Sequence, residues 1–168
     1  MGIDLKNWMQ NLPDGSDLLA LNLCGTHDCV TQHIRLPHFF CCQDLTVYEQ
    51  LLLGVRALDI RVRADGKCLT MVHGIFPAYN HSCHRANLMD MGDVLSQCYR
   101  FLDECPGEAV VFQFKNDNGK ENEQCFDNLF YTYIKGKEPY WYLEDRVPTL
   151  GAARGKLVLI RRCKMEPK

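Results

Sequence analysis

Apolar residues recur along the chain in a pattern that predicts short strands separated by helices. Runs rich in Val, Ile, Leu and Phe predict strands over residues 18–24, 57–63, 68–73, 109–114 and 156–160. Apolar residues at helical spacing predict helices over residues 5–11, 46–55, 92–105 and 121–134. Strands that alternate with helices are typical of a largely parallel sheet covered by helices. The turn signal Asp65-Gly66 is the exception, because it joins two predicted strands directly.

The number of predicted strands limits the architecture. About five strands are fewer than the eight that close a TIM barrel, so the sheet is either open or part of a larger barrel. With 168 residues, 46% of them apolar, the chain suffices for one domain with one core. We therefore expect a single α/β domain over residues 1–168.

Composition excludes some classes of protein. The net charge of −2 lacks the basic excess of a nucleic-acid-binding protein, and no apolar run reaches the length of a membrane-spanning helix. The N-terminus lacks the features of a secretory signal, which predicts a cytoplasmic protein; a secreted protein with a trimmed N-terminus would look the same.

The ten cysteines lack the spacing of a disulfide scaffold, so we expect reduced thiols, with Cys24, Cys68 and Cys98 acting as small buried hydrophobes.

Three predicted strands lead into reactive side chains. The first leads into His27 and Asp28, the second contains Asp59 and Arg61, and the third ends at His73. Alternation along a strand puts Asp59 and Arg61 on one face, and the carboxyl ends of neighbouring strands lie at one edge of a sheet. We therefore expect these five side chains to lie close together.

The chemistry of this set suits phosphoryl transfer. One imidazole can take a proton from an attacking hydroxyl while the other protonates the leaving oxygen. A carboxylate orients a histidine, and a guanidinium matches the oxygens of a phosphate. The alternative is a pair of structural histidines beside an ordinary, partly buried ion pair of Asp59 and Arg61.

Several motifs together resemble bacterial phosphatidylinositol-specific phospholipases C. The sequence Cys24-Gly25-Thr26-His27-Asp28 resembles the family's first catalytic motif. Further similar segments follow in the family's order at residues 43–50, 54–61, 72–74, 110–115 and 149–161. The segments belong to the family's X region and together cover almost the whole chain. The resemblance implies a distorted TIM-like barrel, of which this chain would supply the N-terminal half to two-thirds.

The resemblance also implies a reaction and roles for its residues. In the family, the inositol 2-hydroxyl attacks the phosphodiester, releases diacylglycerol and forms a cyclic inositol phosphate. By matched motif, His27 would be the general base and His73 the general acid. Asp28 is similar to the carboxylate that partners the acid histidine and the arginine. Arg61 resembles the arginine that stabilises the phosphoryl charge, and Asp59 would be its neighbour.

Three more basic residues match the family's substrate contacts. Lys115 resembles a lysine that helps hold the inositol phosphate, and Arg161 or Arg162 is a looser match for the inositol pocket. Eukaryotic relatives bind calcium with an Asn after the first histidine and an acidic residue in place of Arg61. Asp28 and Arg61 follow the bacterial pattern instead, so we expect no cofactor and activity without calcium.

Two departures from the family pattern bear on activity. Cys24 stands where the family usually has proline. The family's aspartate that pairs with the base histidine would fall beyond residue 168, so we expect the chain to need its missing C-terminal half or a completing partner. Apolar residues of two loops, Phe39, Phe40, Ile75 and Phe76 among them, either touch a membrane surface transiently or pack against the core.

The whole sequence is consistent with three functional hypotheses. The first is a phospholipase C that acts on phosphatidylinositol or a related phospholipid, or a phosphodiesterase for another head group. The second is a non-catalytic module that binds inositol phosphates or membranes. The third is a zinc-stabilised domain, for which the sequence offers His81, Cys83 and His84, together with His33, His38, Cys41 and Cys42. These residues lack standard zinc-finger spacing, so chance clustering is the favoured explanation.

Overall fold

A seven-stranded sheet organises the chain in the computed structural model, which describes residues 4–117 and 123–163, without the side chains of residues 123–125. The strands are β1 (Gly25–Thr26), β2 (Ala57–Asp65), β3 (Cys68–His73), β4 (Phe76–Pro77), β5 (Ala109–Asn116), β6 (Trp141–Tyr142) and β7 (Lys156–Arg161). The helices are α1 (Pro37–Phe40), α2 (Val47–Leu52), α3 (Met91–Glu104), α4 (Glu123–Ile134) and α5 (Leu150–Ala153). This is the mixed α/β fold that the alternating pattern predicts.

The strands lie in the order β4-β3-β2-β5-β7-β6. Strands β2, β5, β7 and β6 are parallel, so their carboxyl ends lie at the same edge of the sheet. One side of β2 is shared by two strands: its first residues pair in parallel with β1, and its last residues pair antiparallel with β3. The hairpin from β2 to β3 turns at Gly66, whose φ of +67° favours glycine.

The main core lies between one face of the sheet and helices α2, α3 and α4. Both α2 and α3 begin with a capping box, formed by Thr46 with Glu49 and by Asp90 with Asp93. The buried stripe of α3 comprises Met91, Val94, Leu95, Cys98, Phe101 and Leu102. Its spacing of three and four residues is the one that identifies this helix in the sequence.

A smaller core covers the opposite face of the sheet near the amino ends of the strands. It includes Met9, Leu18, Val111 and Leu150. Because side chains alternate along a strand, the same face of β5 that carries Val111 carries Gln113 and Lys115 further on. The face that carries the smaller core thus changes from apolar to polar toward the carboxyl edge of the sheet.

Two predicted elements at the start of the chain are wrong. Residues 18–24 do not form a strand: Leu18–Ala20 form a short 3-10 turn capped by the carboxylate of Asp17, and only Gly25–Thr26 pair with β2. An aspartate that accepts a nearby backbone N–H offers the chain a turn in place of a ladder. The predicted helix over residues 5–11 is reduced to a 3-10 turn at Leu5–Asn7.

Arginine side chains give the physical reason for the missing N-terminal helix. Arg56 donates to the carbonyl oxygens of Leu5 and Lys6, and Arg154 donates to those of Met9 and Leu12. In a helix over residues 5–11, the carbonyls of Leu5 and Lys6 would accept from the backbone N–H groups four residues further on. Arg56 takes their place, so a tertiary interaction replaces local ones at the start of this segment.

The remaining predicted elements are confirmed to within a few residues. The predicted helix over residues 121–134 is present from Glu123, and residues 121–122 lie outside the described part of the chain. Nine described cysteines are free thiols; Cys98 is buried as expected, but Cys24 and Cys68 are exposed. Within the described residues, no helix is long and apolar enough to cross a membrane.

Candidate active site

The five side chains predicted to lie together do so at the carboxyl edge of the sheet. His27 and Asp28 follow β1, Asp59 and Arg61 lie on β2, and His73 ends β3. The ring centres of the two histidines are 6.3 Å apart. The shared pairing of β2 with β1 and β3 brings these residues together, since both neighbours deliver their last residues beside the same strand.

The turn after β1 has a local cause. Gly25 packs so closely on β2 that a Cβ atom at this position would lie 3.3 Å from the Cβ and carbonyl oxygen of Ala57. Asp28 then adopts a left-handed φ of +44°, which short polar side chains tolerate best. Thr31 donates its hydroxyl to the Asp28 carbonyl at 2.9 Å and stabilises this turn. The Asp28 side chain is fully buried at this turn.

Asp28 connects both histidines to the arginine. Its Oδ2 lies 3.4 Å from His27 Nε2 and 3.5 Å from His73 Nδ1, and its Oδ1 lies 3.3 Å from Arg61 Nε. Both oxygens are buried and neither accepts a hydrogen bond of good geometry in the described part of the chain. Burial raises the pKa of the Asp28 carboxyl above its ordinary value, although Arg61, His73 and His27 oppose this.

Asp59 contacts the other ring nitrogen of His27. Its Oδ2 is 3.0 Å from His27 Nδ1, and its Oδ1 accepts a 3.1 Å hydrogen bond from Gln113 Nε2. Burial opposes ionisation of Asp59, but hydrogen bonds from Arg61 and Gln113 outweigh it and lower the pKa of the carboxyl. Asp59 lies closer to the ring at Nδ1 than Asp28 does at Nε2, 3.0 Å against 3.4 Å, which favours the tautomer with the proton on Nδ1 and a lone pair on Nε2.

Arg61 is surrounded by three carboxylates. Besides Asp28, it donates from Nε to Asp59 at 3.1 Å, and its Nη1 lies 3.7 Å from Asp117. Burial lowers the pKa of the Arg61 guanidinium, but the hydrogen bond to Asp59 and the nearby carboxylates outweigh this and raise it. The cluster therefore holds a fixed positive charge at its centre.

Lys115 lies beside the cluster, as its match to the family lysine predicts. Its Cα stands opposite Arg61 in the pairing of β5 with β2, and its ammonium group pairs with Asp117. Asp117 also accepts a 2.7 Å hydrogen bond from the backbone N–H of Gly74. The sequence analysis missed Gln113 and Asp117, although Gln113 alternates with Lys115 on β5 and Asp117 continues this alternation just after the strand.

Arg161 and Arg162 lie at the end of β7. Arg161 stands opposite Phe114 rather than Lys115 in the strand register, and its guanidinium lies 3.7 Å from Asp145. Arg162 is exposed, and its backbone N–H donates to the carbonyl of Phe114 at 2.7 Å. None of these interactions brings Arg161 or Arg162 into contact with the cluster, so they do not support the expected role in an inositol pocket.

The end of α1 and the loop that follows it cover His73. His73 Nδ1 lies 3.1 Å from the carbonyl oxygen of Phe40, and the two rings meet edge to face at 5.5 Å. The Sγ atom of Cys42 is 3.9 Å from the same nitrogen. No sequence signal placed Cys42 beside His73, because the contact depends on the path of the loop.

The zinc ligands suggested by the sequence are not gathered. Within residues 4–117 and 123–163, the only group of His, Cys, Asp and Glu side chains close enough to share a metal ion is His27, Asp28 and Cys42. Of the residues suggested earlier, Cys42 alone belongs to it. The structure of the described residues thus gives no support to a zinc-stabilised domain built around His81, Cys83 and His84.

Replacing Asp28 with asparagine should stabilise the fold at pH 7. The pKa of the Asp28 carboxyl is raised in the folded state. Its contribution to stability is therefore fully present below its unfolded pKa and is lost as the pH rises through its folded pKa. The ionised carboxylate therefore opposes folding at pH 7, and asparagine tolerates the same backbone conformation. Calorimetry should show Asp28→Asn raising Tm by about 2–4 °C.

The pH dependence and a matched variant test the reason for that shift. The gain in Tm should shrink toward pH 4, where the parent carboxyl takes up its proton. Asp44→Asn, at an exposed aspartate of the neighbouring loop, should leave Tm unchanged at both pH values. A lower Tm for Asp28→Asn at pH 7 would contradict the expectation.

Comparisons with known proteins find similar enzymes from two bacterial species. No protein-family model matches the chain. The chain is 27% identical to the 1-phosphatidylinositol phosphodiesterase of Listeria monocytogenes over 94% of its length, which is 49% of that relative. It is 28% identical to the enzyme of the same name from Staphylococcus aureus, again over 94% of this chain and 51% of the relative. The chain thus spans about half the length of the curated relatives it matches.

Solved structures agree with the sequence comparison. The phosphatidylinositol-specific phospholipase C of L. monocytogenes matches 95% of this chain and 57% of its own length, with a TM-score of 0.78 and 26% identity. A variant of the S. aureus phosphatidylinositol-specific phospholipase C matches with a TM-score of 0.77 and 28% identity, over 95% of this chain and 53% of that one. The resemblance seen in the motifs is therefore confirmed: this chain is similar to bacterial phosphatidylinositol-specific phospholipases C in sequence and fold along nearly its whole length.

Proposed function

We propose that the chain cleaves the phosphodiester bond of phosphatidylinositol by acid–base catalysis without a metal ion. The observation that carries this proposal is the arrangement of two histidines around one buried carboxylate, with Arg61 against the same carboxylate. The names of the relatives support phosphatidylinositol as the substrate. An acid, a base and a fixed cation in one cluster are what such a cleavage requires.

His27 is the proposed general base. Asp59 accepts at Nδ1, which leaves Nε2 to take the proton of the inositol 2-hydroxyl. The hydroxyl oxygen then forms a bond to phosphorus as the bond from phosphorus to the diacylglycerol oxygen breaks. His73 is the proposed general acid that gives this leaving oxygen its proton. The products are diacylglycerol and a cyclic inositol phosphate.

Charges around the histidines support these roles. Asp28 lies against both rings and stabilises whichever imidazole carries the extra proton. The guanidinium of Arg61 offers donors to the phosphoryl oxygens, where negative charge grows in the transition state. Lys115 is the proposed further contact to the phosphate or the inositol ring, since it lies beside Arg61 in the sheet. Arg161 and Arg162 remain looser candidates for the inositol pocket.

The position of Asp59 bears on whether the chain needs a completing half. The family resemblance implies an orienting aspartate beyond residue 168, yet Asp59 already lies 3.0 Å from Nδ1 of His27. This contact supports an orienting role for Asp59 within the described part of the chain. We therefore propose that the histidine pair is competent without a second aspartate, and that a C-terminal half or partner adds substrate contacts.

Arg61 is also the argument for calcium independence. Calcium needs several oxygen ligands, and the nearby carboxylates of Asp28 and Asp59 are paired with the guanidinium. A calcium ion at this place would have to displace or tolerate a positive charge within a few ångströms. The fixed guanidinium supplies the charge that an ion would otherwise provide.

Phosphorus NMR tests the proposal directly. The purified chain is incubated with phosphatidylinositol in detergent micelles, once with a calcium chelator and once with added calcium. We expect a cyclic inositol phosphate at equal rates in both samples. Product only with calcium would overturn the metal-independent mechanism. A folded sample that forms no product under either condition would favour the alternative, a module that binds inositol phosphates or membranes.

Apolar residues at the rim of the cluster support transient contact with a lipid surface. Leu36, Phe39 and Ile75 are exposed by 56%, 79% and 70%. Leu36 and Phe39 lie at the start of α1 and within it, and Ile75 lies in the turn between β3 and β4. The rings of Phe40 in α1 and Phe76 in β4 have centres 4.3 Å apart, which brings α1 beside this turn. Exposed apolar side chains beside a site for a lipid head group can enter the membrane interface while the phosphodiester reaches the cluster.

Replacing Phe39 with serine should weaken binding to phosphatidylinositol vesicles by about tenfold, because one exposed aromatic side chain no longer enters the interface. Vesicle sedimentation measures the effect. Leu53→Ser is the matched control: Leu53 is 59% exposed but precedes β2, at the other end of that strand from the rim, so its replacement should not affect binding. Equal binding by Phe39→Ser and the parent would refute the membrane contact.

A further inference from the structure

Cys42 is a thiol at the edge of the cluster that the proposed mechanism does not use. Its backbone N–H donates to the Thr31 hydroxyl at 2.8 Å, which ties its loop to the turn that carries Asp28. Its Sγ atom lies 3.9 Å from Nδ1 of His73. The side chain is only partly buried, so solutes can reach it. The thiol is thus held beside the histidines by the fold.

Three different ligand types meet at this place. One ligand atom each of His27, Asp28 and Cys42 lies within 4.8 Å of the other two. In a tetrahedral site with bonds of about 2.0–2.3 Å, ligand atoms are about 3.3–3.8 Å apart. His27 Nε2 and Asp28 Oδ2, 3.4 Å apart, already have this spacing. A small movement of the Cys42 side chain would complete the set.

The two carboxylate oxygens of Asp28 are the buried part of this set. They lie in ion pairs with Arg61 and the two histidines, but neither accepts a hydrogen bond of good geometry within the described residues, which leaves lone pairs for a metal ion. Oδ1 faces Arg61, whereas Oδ2 faces the two histidines and is the oxygen available to a cation. Behind His27, Asp59 accepts at Nδ1, an arrangement that orients histidine ligands in metal sites.

The donor set selects the class of ion. One nitrogen, one sulfur and one oxygen are ligands that suit zinc and similar transition-metal ions, whereas calcium and magnesium require oxygen ligands. Arg61 Nη2 lies 3.3 Å from His27 Nδ1, so its charge weakens the attraction of any cation to the site. The ion therefore binds reversibly. The three protein ligands leave the fourth tetrahedral position open to water.

We infer that zinc or a related transition-metal ion binds to His27 Nε2, Asp28 and Cys42, and that binding blocks the site. The Cys42 thiol loses its proton to solvent when the ion binds, since the thiolate is the ligand. The ion occupies the nitrogen that would accept the proton of the attacking hydroxyl. Only the inhibition rests on the proposed function; binding of the ion does not.

Cobalt and zinc titrations of the purified chain test the site. Cobalt(II) bound to a thiolate gives a charge-transfer band in the near ultraviolet, and competition with a chromophoric chelator gives the zinc affinity. We expect the band with the parent chain, its loss in Cys42→Ser and an affinity for zinc at least about tenfold weaker in that variant. Cys41→Ser is the matched control, because its thiol contacts Gln43 and Asp44 instead.

The outcomes separate this inference from the proposed function. Equal zinc affinity of Cys42→Ser and the parent, or no band with the parent, would overturn the site. In the phosphorus NMR assay, zinc should inhibit the parent and Cys41→Ser, a chelator should restore both, and Cys42→Ser should need at least about tenfold more zinc. If the chain forms no product, the titrations still decide whether the ion binds. The cobalt spectrum of the parent needs no variant, and circular dichroism verifies that each variant folds.

Discussion

Replacing His27 with alanine should lower kcat for cleavage of phosphatidylinositol by at least about a hundredfold. The expected loss is that of a general base, which contributes about 10²–10⁴ in rate. His27 stands between Asp59 at Nδ1 and Asp28 at Nε2, and Arg61 touches the same ring. The variant keeps these carboxylates and the guanidinium, so what is lost is the proton acceptor.

Phosphorus NMR of the cyclic product measures the loss, with circular dichroism to verify the fold. His73→Ala should lose activity to a similar extent. The double variant should be little worse than either single variant, because an acid and a base that act in one step are not additive. His81→Ala is the control: this histidine is exposed on a loop outside the cluster, and its variant should retain the parent rate. A His27→Ala variant within threefold of the parent would refute the proposed base.

Replacing Arg56 with alanine should lower the free energy of unfolding by about 3–5 kcal/mol. Arg56 is fully buried and donates from Nε to Glu108 at 2.8 Å. Its Nη1 donates to the carbonyl oxygens of Leu51 and Val55, each at 2.7 Å, and its guanidinium lies 4.6 Å from the ring centre of Phe101. Truncation leaves the Glu108 carboxylate buried without its counter-charge, which is the largest part of the expected cost.

Urea denaturation followed by circular dichroism measures this change. Arg146→Ala is the control, since Arg146 is 75% exposed and pairs with an exposed glutamate, and its midpoint should match the parent. The double variant Arg56→Met, Glu108→Leu should recover much of the loss, because it removes both charges and keeps the volume. A midpoint for Arg56→Ala equal to that of the parent would show that the buried pair contributes nothing to stability.

The elements that could be predicted from the sequence are those in which local pattern and tertiary packing agree. Strands β2, β5 and β7 are long apolar runs inside a parallel sheet, and α3 has an uninterrupted buried stripe. The segment over residues 18–24 has an equally apolar pattern but no strand to pair with along its length. Leu18 is buried whereas Leu19 is 68% exposed, a distinction that depends on neighbours distant in sequence.

Within the site, too, some positions could be predicted from the sequence and others could not. His27 and His73 could be placed together because each lies at the end of a predicted strand, where the fold class predicts reactive residues, and alternation along β2 puts Asp59 and Arg61 on one face. The contact of Asp59 with His27 could not be predicted, since it requires that β1 pair with β2 in one particular register. The position of Cys42 depends on a loop path without a periodic pattern.

The division of one side of β2 between β1 and β3 has a consequence for how the protein can vary. The two histidines, Asp28, Asp59 and Arg61 all lie on β2 or at the end of a strand paired to it, within about a third of the sequence. Strands β7 and β6 lie beyond β5, at the opposite margin of the sheet. Evolution or a designer can therefore rebuild that margin while the cluster is inherited unchanged as a module.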